Sequence, residues 1–222
     1  MDDHVRDVYL FEAVKQAQFG LNAHGGLMNV LVRLRSGVET LDFATRNTLH
    51  NEVFRSLHSL LSHASNVSRL FWPAPPRRGK GETASAHASR IARHPQSRRA
   101  AFLRAAAGLG PQHALKSREI RDHLEHFDER LDRWAATSVG KSIVQDLIGG
   151  PNTISGIADE DMMRWYDPTT HSLRFQGAKY EIRAITDGLA DVSDASTRVL
   201  ASSGFGAALR LIEGNSSPRS PS

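Results

Sequence analysis

The chain has 222 residues, no cysteine, 40% hydrophobic residues and a formal net charge of +4. That length suits one domain with appendages, and the missing cysteines exclude disulfide scaffolds, zinc–thiolate sites and thiol nucleophiles. No apolar run approaches the roughly 20 residues needed to cross a bilayer, and the opening MDDHVRDVYL has no signal-peptide core, so a cytoplasmic protein without a membrane anchor is expected.

Residues 2–36 open on Asp2 and Asp3, residues suited to a helix start. Val5, Val8, Tyr9, Phe11, Val14 and Ala17 follow at helical spacing, and Leu27, Leu31 and Leu34 resume the stripe beyond Gly25-Gly26. One nearly continuous helix is expected, ending at Gly37. Residues 39–71 form the next helical block, with Leu49, Val53, Leu57, Leu60 and Leu61 on its apolar face and Pro73 as its stop. Asn47, His50 and Asn51 read as polar positions beside the core.

Residues 73–97 change character: Pro, Gly, Ser and Ala dominate and large apolar residues are scarce. This predicts a flexible basic insertion. Residues 73–104 hold eight Lys/Arg against one acid, Glu82, a local +7 inside a chain of +4. Arg77, Arg78, Lys80, Arg90, Arg93, Arg98 and Arg99 could therefore hold phosphates in a salt-dependent way, the alternative being a solvated insertion. No aromatic residue interleaves with them to stack on bases. Gly79-Lys80-Gly81 lacks the frame of a phosphate loop. Residues 97–109, rich in alanine, predict a short helix.

Residues 112–137 contain LKSREIRDHLEHFDERLDRW, with Ile120, Leu124, Phe127, Leu131 and Trp134 spaced alternately by four and three. One long helix is expected here. Ile143 to Ile148 fits either a short helix or a strand, and Gly149-Gly150-Pro151-Asn152 is a break. Met162–Tyr166 and Leu173–Phe175 read as two strands joined by Asp167-Pro168-Thr169-Thr170. Trp165 and Tyr166 are expected in the core or as a lid. The last helix is placed at 178–202, from Ala178, Ile182, Ile185, Leu189, Val192, Ser196 and Val199.

The expected fold is mainly α: a bundle of four to five long helices with a small two-stranded hairpin. Its parts would be an N-terminal helical pair at 1–72, the basic insertion at 73–97, a helical core with the hairpin at 98–213 in the same domain, and a disordered tail at 214–222.

The chemistry-bearing residues concentrate on the 112–137 segment. Asp122 and His126 are four apart, within reach along a helix. An imidazole moves protons near neutral pH, and an arginine stabilises charge developing on phosphate. An Arg followed four to six residues later by a His occurs at Arg118–His123, Arg121–His126 and Arg164–His171, and only Arg121 has an Asp, Asn or His directly after it. Arg121-Asp122-His123-Leu124-Glu125-His126 resembles the R-x(4–6)-H motif of the HEPN superfamily. The resemblance covers these six residues and the helical context.

It implies a metal-independent endoribonuclease of toxin or defence type, with Arg121, Asp122 and His126 as catalytic residues, a 2′,3′-cyclic phosphate product, and no cofactor. It also implies a homodimer and an antitoxin-like protein partner. Ideal helix geometry sets Arg121 and His126 about 140° apart, which a partner chain's motif would complement. The alternatives are a non-catalytic helical interaction protein and a nucleic-acid binder without chemistry. A metal site at His123, Glu125 and His126 is not expected, because a His pair at i and i+3 is a poor ligand set.

Overall fold

The computed structural model describes residues 1–37, 40–117 and 127–206. Helix α1 runs unbroken over Asp3–Ser36, with Asp2 Oδ1 accepting from Val5 N at 2.8 Å at its start. Helix α2, Phe43–Phe71, is capped by Asp42, whose carboxylate accepts from Thr45 N at 2.7 Å. Both match the sequence expectation, including the stop ahead of Pro73.

Among the described residues there are six α-helices and a four-stranded sheet, not four to five long helices with a two-stranded hairpin. The extra helix is α3, Ala84–Arg93, inside the segment expected as a loop. None of its residues is buried, so it leaves no apolar stripe to read. Polar groups hold it instead: Thr83 Oγ1 accepts from Ala86 N at its start. Helix α4, Pro95–Ala107, begins on a proline and ends at Gly108 in the left-handed region. The helix expected from residue 112 does not begin there: Ala114–Lys116 is a 3₁₀ turn. Its described part is α5, Phe127–Thr137. Helix α6 covers Ile182–Ala201.

The sheet has the order β1-β2-β3-β4, with β1 Val144–Ile148, β2 Met162–Asp167, β3 Ser172–Phe175 and β4 Ala178–Glu181. β1 pairs with β2 in parallel, and the other two pairs are antiparallel. The expected strands β2 and β3 are present. Five of the six β2 residues are buried, and such a strand needs a neighbour on each edge. Residues 178–181 read as helix because Ala178, Ile182 and Ile185 keep helical spacing. The chain instead reverses at Gln176-Gly177, both at positive φ (45° and 82°). A two-residue type I′ hairpin turn requires that pair of signs. It pairs Phe175 with Ala178 and buries Tyr180 opposite Leu173.

The chain divides into two compact units. The first comprises Met1–Gln18, Asn66–Lys116 and the described residues from Gly188 onward; the second, the described residues of Phe19–Ser65 and Ser117–Asp187. Leu10, Val14, Phe71, Leu103, Leu115 and Leu200 are among the buried residues of the first. There, two α4 arginines serve the C-terminus of α2, where carbonyls lack helical partners. Arg99 donates to Arg69 O at 2.9 Å and Arg104 to Phe71 O. His113 stacks on Trp72 with centroids 4.5 Å apart, and its Nε2 meets Asp191 at 3.1 Å. In the second unit Leu27, Val53, Leu57, Leu60, Tyr166 and Ile182 are buried.

Candidate functional site

Arg121, Asp122 and His126 lie outside the described residues. The chain they belong to enters α5 at Phe127. Several contacts tie α5 to the rest of its unit, Gln176 Nε2 donating to Arg130 O at 3.4 Å among them. Trp134 Nε1 donates to the buried Asp161 carboxylate at 2.9 Å, and the Arg130 guanidinium lies 5.8 Å from the centre of the Phe175 ring on β3. The expected stripe thus persists at Trp134, with a polar anchor at its indole.

The basic residues form a local network. Glu82 accepts from Arg90 at 2.8 and 2.9 Å and from Gly79 N at 2.9 Å. Arg78 Nε donates to Glu82 O, and Arg90 also donates to Arg77 O. Arg99, besides reaching Arg69 O, lies 5.3 Å from the centre of the Tyr9 ring. Arg78, Arg90, Arg93 and Arg99 are thus engaged within the chain, Arg93 through Ser89 O at 3.2 Å, while Arg77, Lys80 and Arg98 stand exposed. The hydrogen bond from Arg90, then that from Gly79, hold the Glu82 carboxyl down at about 2.

A depressed carboxyl contributes its contacts above the ordinary carboxylate range and loses them as pH falls through its folded value. The Glu82 network is therefore expected to persist at pH 3 and to fail near pH 2. Glu82→Gln should make trypsin cut after Arg77, Arg78 and Lys80 several-fold faster, measured as initial rates by mass spectrometry. Unchanged rates would show that Glu82 does not restrain the segment.

The second unit also contains a cleft of about 500 Å³ lined by His24, Met28, His171, Arg183, Thr186 and Asp187. Helical spacing places His24 and Met28 on one face of α1, and Arg183, Thr186 and Asp187 on one face of α6. His171 comes from the β2–β3 turn. There the Asp167 carboxylate accepts from Thr169 N at 2.8 Å and Thr170 Oγ1 at 2.9 Å. His171 adopts φ 50°, a left-handed conformation sparsely used by residues other than glycine. Its carbonyl accepts from Ile182 N, the first residue of α6, at 3.0 Å.

Behind His171 stands Tyr166, fully buried, its hydroxyl 2.9 Å from Nδ1. Burial, then the Asp167 charge, push the Tyr166 hydroxyl up to about 12, so it stays protonated at neutral pH. The contact engages Nδ1 and leaves Nε2 as the other ring nitrogen of His171. His24 is lowered from its ordinary value by burial, then by His171, against an opposing effect of Asp187. Among the described residues, no three His, Asp or Glu side chains are grouped to hold a metal ion.

Comparisons with protein-family models, curated proteins and solved structures find no match. The cleft residues were not legible as a group, because they span His24 to Asp187 with no local spacing. Only His171 carried a signal, as the third Arg-to-His match, and its Arg164 is committed elsewhere: Nε lies 2.6 Å from Asp146 Oδ1 on the neighbouring strand. No helix among the described residues is long and apolar enough to cross a membrane.

Proposed function

We propose that the protein is a HEPN-like, metal-independent endoribonuclease whose reacting groups are Arg121, Asp122 and His126. The supporting observation is the sequence Arg121-Asp122-x-x-x-His126 running directly into α5, a helix anchored in its unit through Trp134 and Asp161. His126 takes the ribose 2′-hydroxyl proton as O2′ attacks the adjacent phosphorus. The bond to the 5′-oxygen breaks, and that oxygen leaves with a proton. The products are a 2′,3′-cyclic phosphate and a 5′-hydroxyl, and no water is consumed. Arg121 holds the phosphate as charge develops on it, and Asp122 orients His126.

In this reading the enzyme is cytoplasmic and works as a homodimer that joins two motifs in one site. RNA is guided by the exposed arginines and lysine of 77–98, and an antitoxin-like protein restrains it. A non-catalytic helical interaction or nucleic-acid-binding protein is the second reading. The observation behind it is the set of exposed apolar side chains on α1: Val5, Val8, Phe19 and Val32.

The test is cleavage of a labelled panel of structured RNAs in EDTA. His126→Ala is expected to lower the rate by about 10²–10⁴-fold, the contribution of a positioned proton-transfer group, while circular dichroism stays unchanged. Absence of cleavage by folded, dimeric wild-type protein would move the assignment to the interaction reading.

A further inference from the structure

The cleft bounded by α1, the β2–β3 turn and α6 joins two chemistries. Its polar part presents the Arg183 guanidinium, the His171 ring, whose Nδ1 is engaged by the Tyr166 hydroxyl, the Asp187 carboxylate and His24. A second cleft of about 400 Å³ shares Met28 and His171 and continues along Leu31, Val32, Ile148 and Pro168, with Arg35 also in its lining. A ligand filling both has an anionic end, a hydrogen-bond donor near it, and an apolar or flat body.

The guanidinium suits phosphate oxygens, since its planar fork donates two parallel hydrogen bonds. The His171 ring supplies a further polar contact through Nε2. Asp187 accepts from a hydroxyl or amine, and beside an anion it selects against ligands that are charged throughout. The apolar continuation receives a ring. Each cleft volume falls within the usual range for small-molecule sites, roughly 300–1,000 Å³. The left-handed backbone at His171, fixed by Ile182 N and by the Tyr166 hydroxyl, holds the imidazole at the point where the two parts meet. Strained residues held in this way cluster at functional positions.

The geometry points to a nucleoside monophosphate site: phosphate on Arg183 and His171, ribose hydroxyls on Asp187, and base against Met28, Leu31 and Ile148. None of these lining residues is Arg121, Asp122 or His126, so nucleotide binding here does not depend on the nuclease reading.

The test is isothermal titration calorimetry on the full chain at pH 7, backed by ligand-observed NMR. The probes are AMP, GMP, CMP, UMP, adenosine and inorganic phosphate. At least one mononucleotide is expected to bind at sub-millimolar Kd, with adenosine and phosphate each at least tenfold weaker. Arg183→Gln, an exposed position whose substitution leaves the core intact, should weaken mononucleotide binding at least tenfold, and His171→Asn should weaken it too. Asparagine tolerates the left-handed backbone there.

No mononucleotide binding by either method overturns the proposal. So does phosphate binding as tightly as the nucleotides, or full affinity in Arg183→Gln. Wild-type protein that binds a mononucleotide but cleaves no RNA counts against the nuclease reading alone, and RNA cleavage without mononucleotide binding counts against this site alone.

Discussion

Gly149→Ala is expected to destabilise the fold by about 3 kcal/mol or more, at the upper end of single-residue effects. A Cβ at this position would sit 2.1 Å from Thr153 Oγ1 and 2.8 Å from Thr153 Cβ. The residue also adopts φ 155°, a region that only glycine uses readily. The backbone has little freedom to move away. Gly149 N donates to Tyr166 O at 3.0 Å, and Gly149 O accepts from Trp165 Nε1 at 2.7 Å. Relief of the clash therefore breaks hydrogen bonds at the end of the parallel β1–β2 pair. The unfolding midpoint should fall by roughly 6–12 °C in a chain of this size. Adding Thr153→Gly should recover only part of the loss, since it removes the clash and leaves the dihedral. A Gly149→Ala protein as stable as wild type in urea unfolding would contradict the arrangement.

The second large effect is expected at Tyr166, the largest fully buried side chain. It occupies β2 between Ile148 on β1 and Leu173 on β3. Tyr166→Ala should cost about 3–5 kcal/mol through lost burial and the cavity left behind. Tyr166→Phe keeps the ring and removes the hydroxyl that faces His171 Nδ1. That loss should be about 1–2 kcal/mol, the size of one hydrogen bond with a partner left unmet. Chemical denaturation of the pair separates volume from hydrogen bonding. If the Phe variant were as unstable as the Ala variant, the hydroxyl rather than the ring would dominate. Equal stability of Phe and wild type would remove Tyr166 as the group that orients His171.

These positions mark where the sequence was legible. The stripes of α1, α2 and α6 are long and regular, so periodicity located them, and β2 and β3 were bounded by a turn whose Asp167 chemistry is local. β4 was hidden because Ala178 and Tyr180 precede a strong helical stripe with no break in spacing. The Gln176-Gly177 pair was the available signal. α3 escaped because a helix with no buried residue has no apolar pattern, and its supports are a Thr83 cap and the Glu82 network. The cleft escaped because tertiary structure alone brings His24, His171 and Asp187 to one place. Arg121, Asp122 and His126 were the most legible chemical signal in the chain.

The division of the chain into interleaved units bears on its synthesis. The second unit is complete once Asp187 has been made. The first must wait for residues from Gly188 onward, although its own segment Met1–Gln18 precedes the whole of the second unit in the chain. Leu10, Ala13, Val14 and Ala17, all buried in the finished fold, therefore leave the ribosome long before the closing residues of their own unit exist. Contacts so distant in sequence slow folding, and apolar surface held open in this way is prone to aggregate until its partners exist.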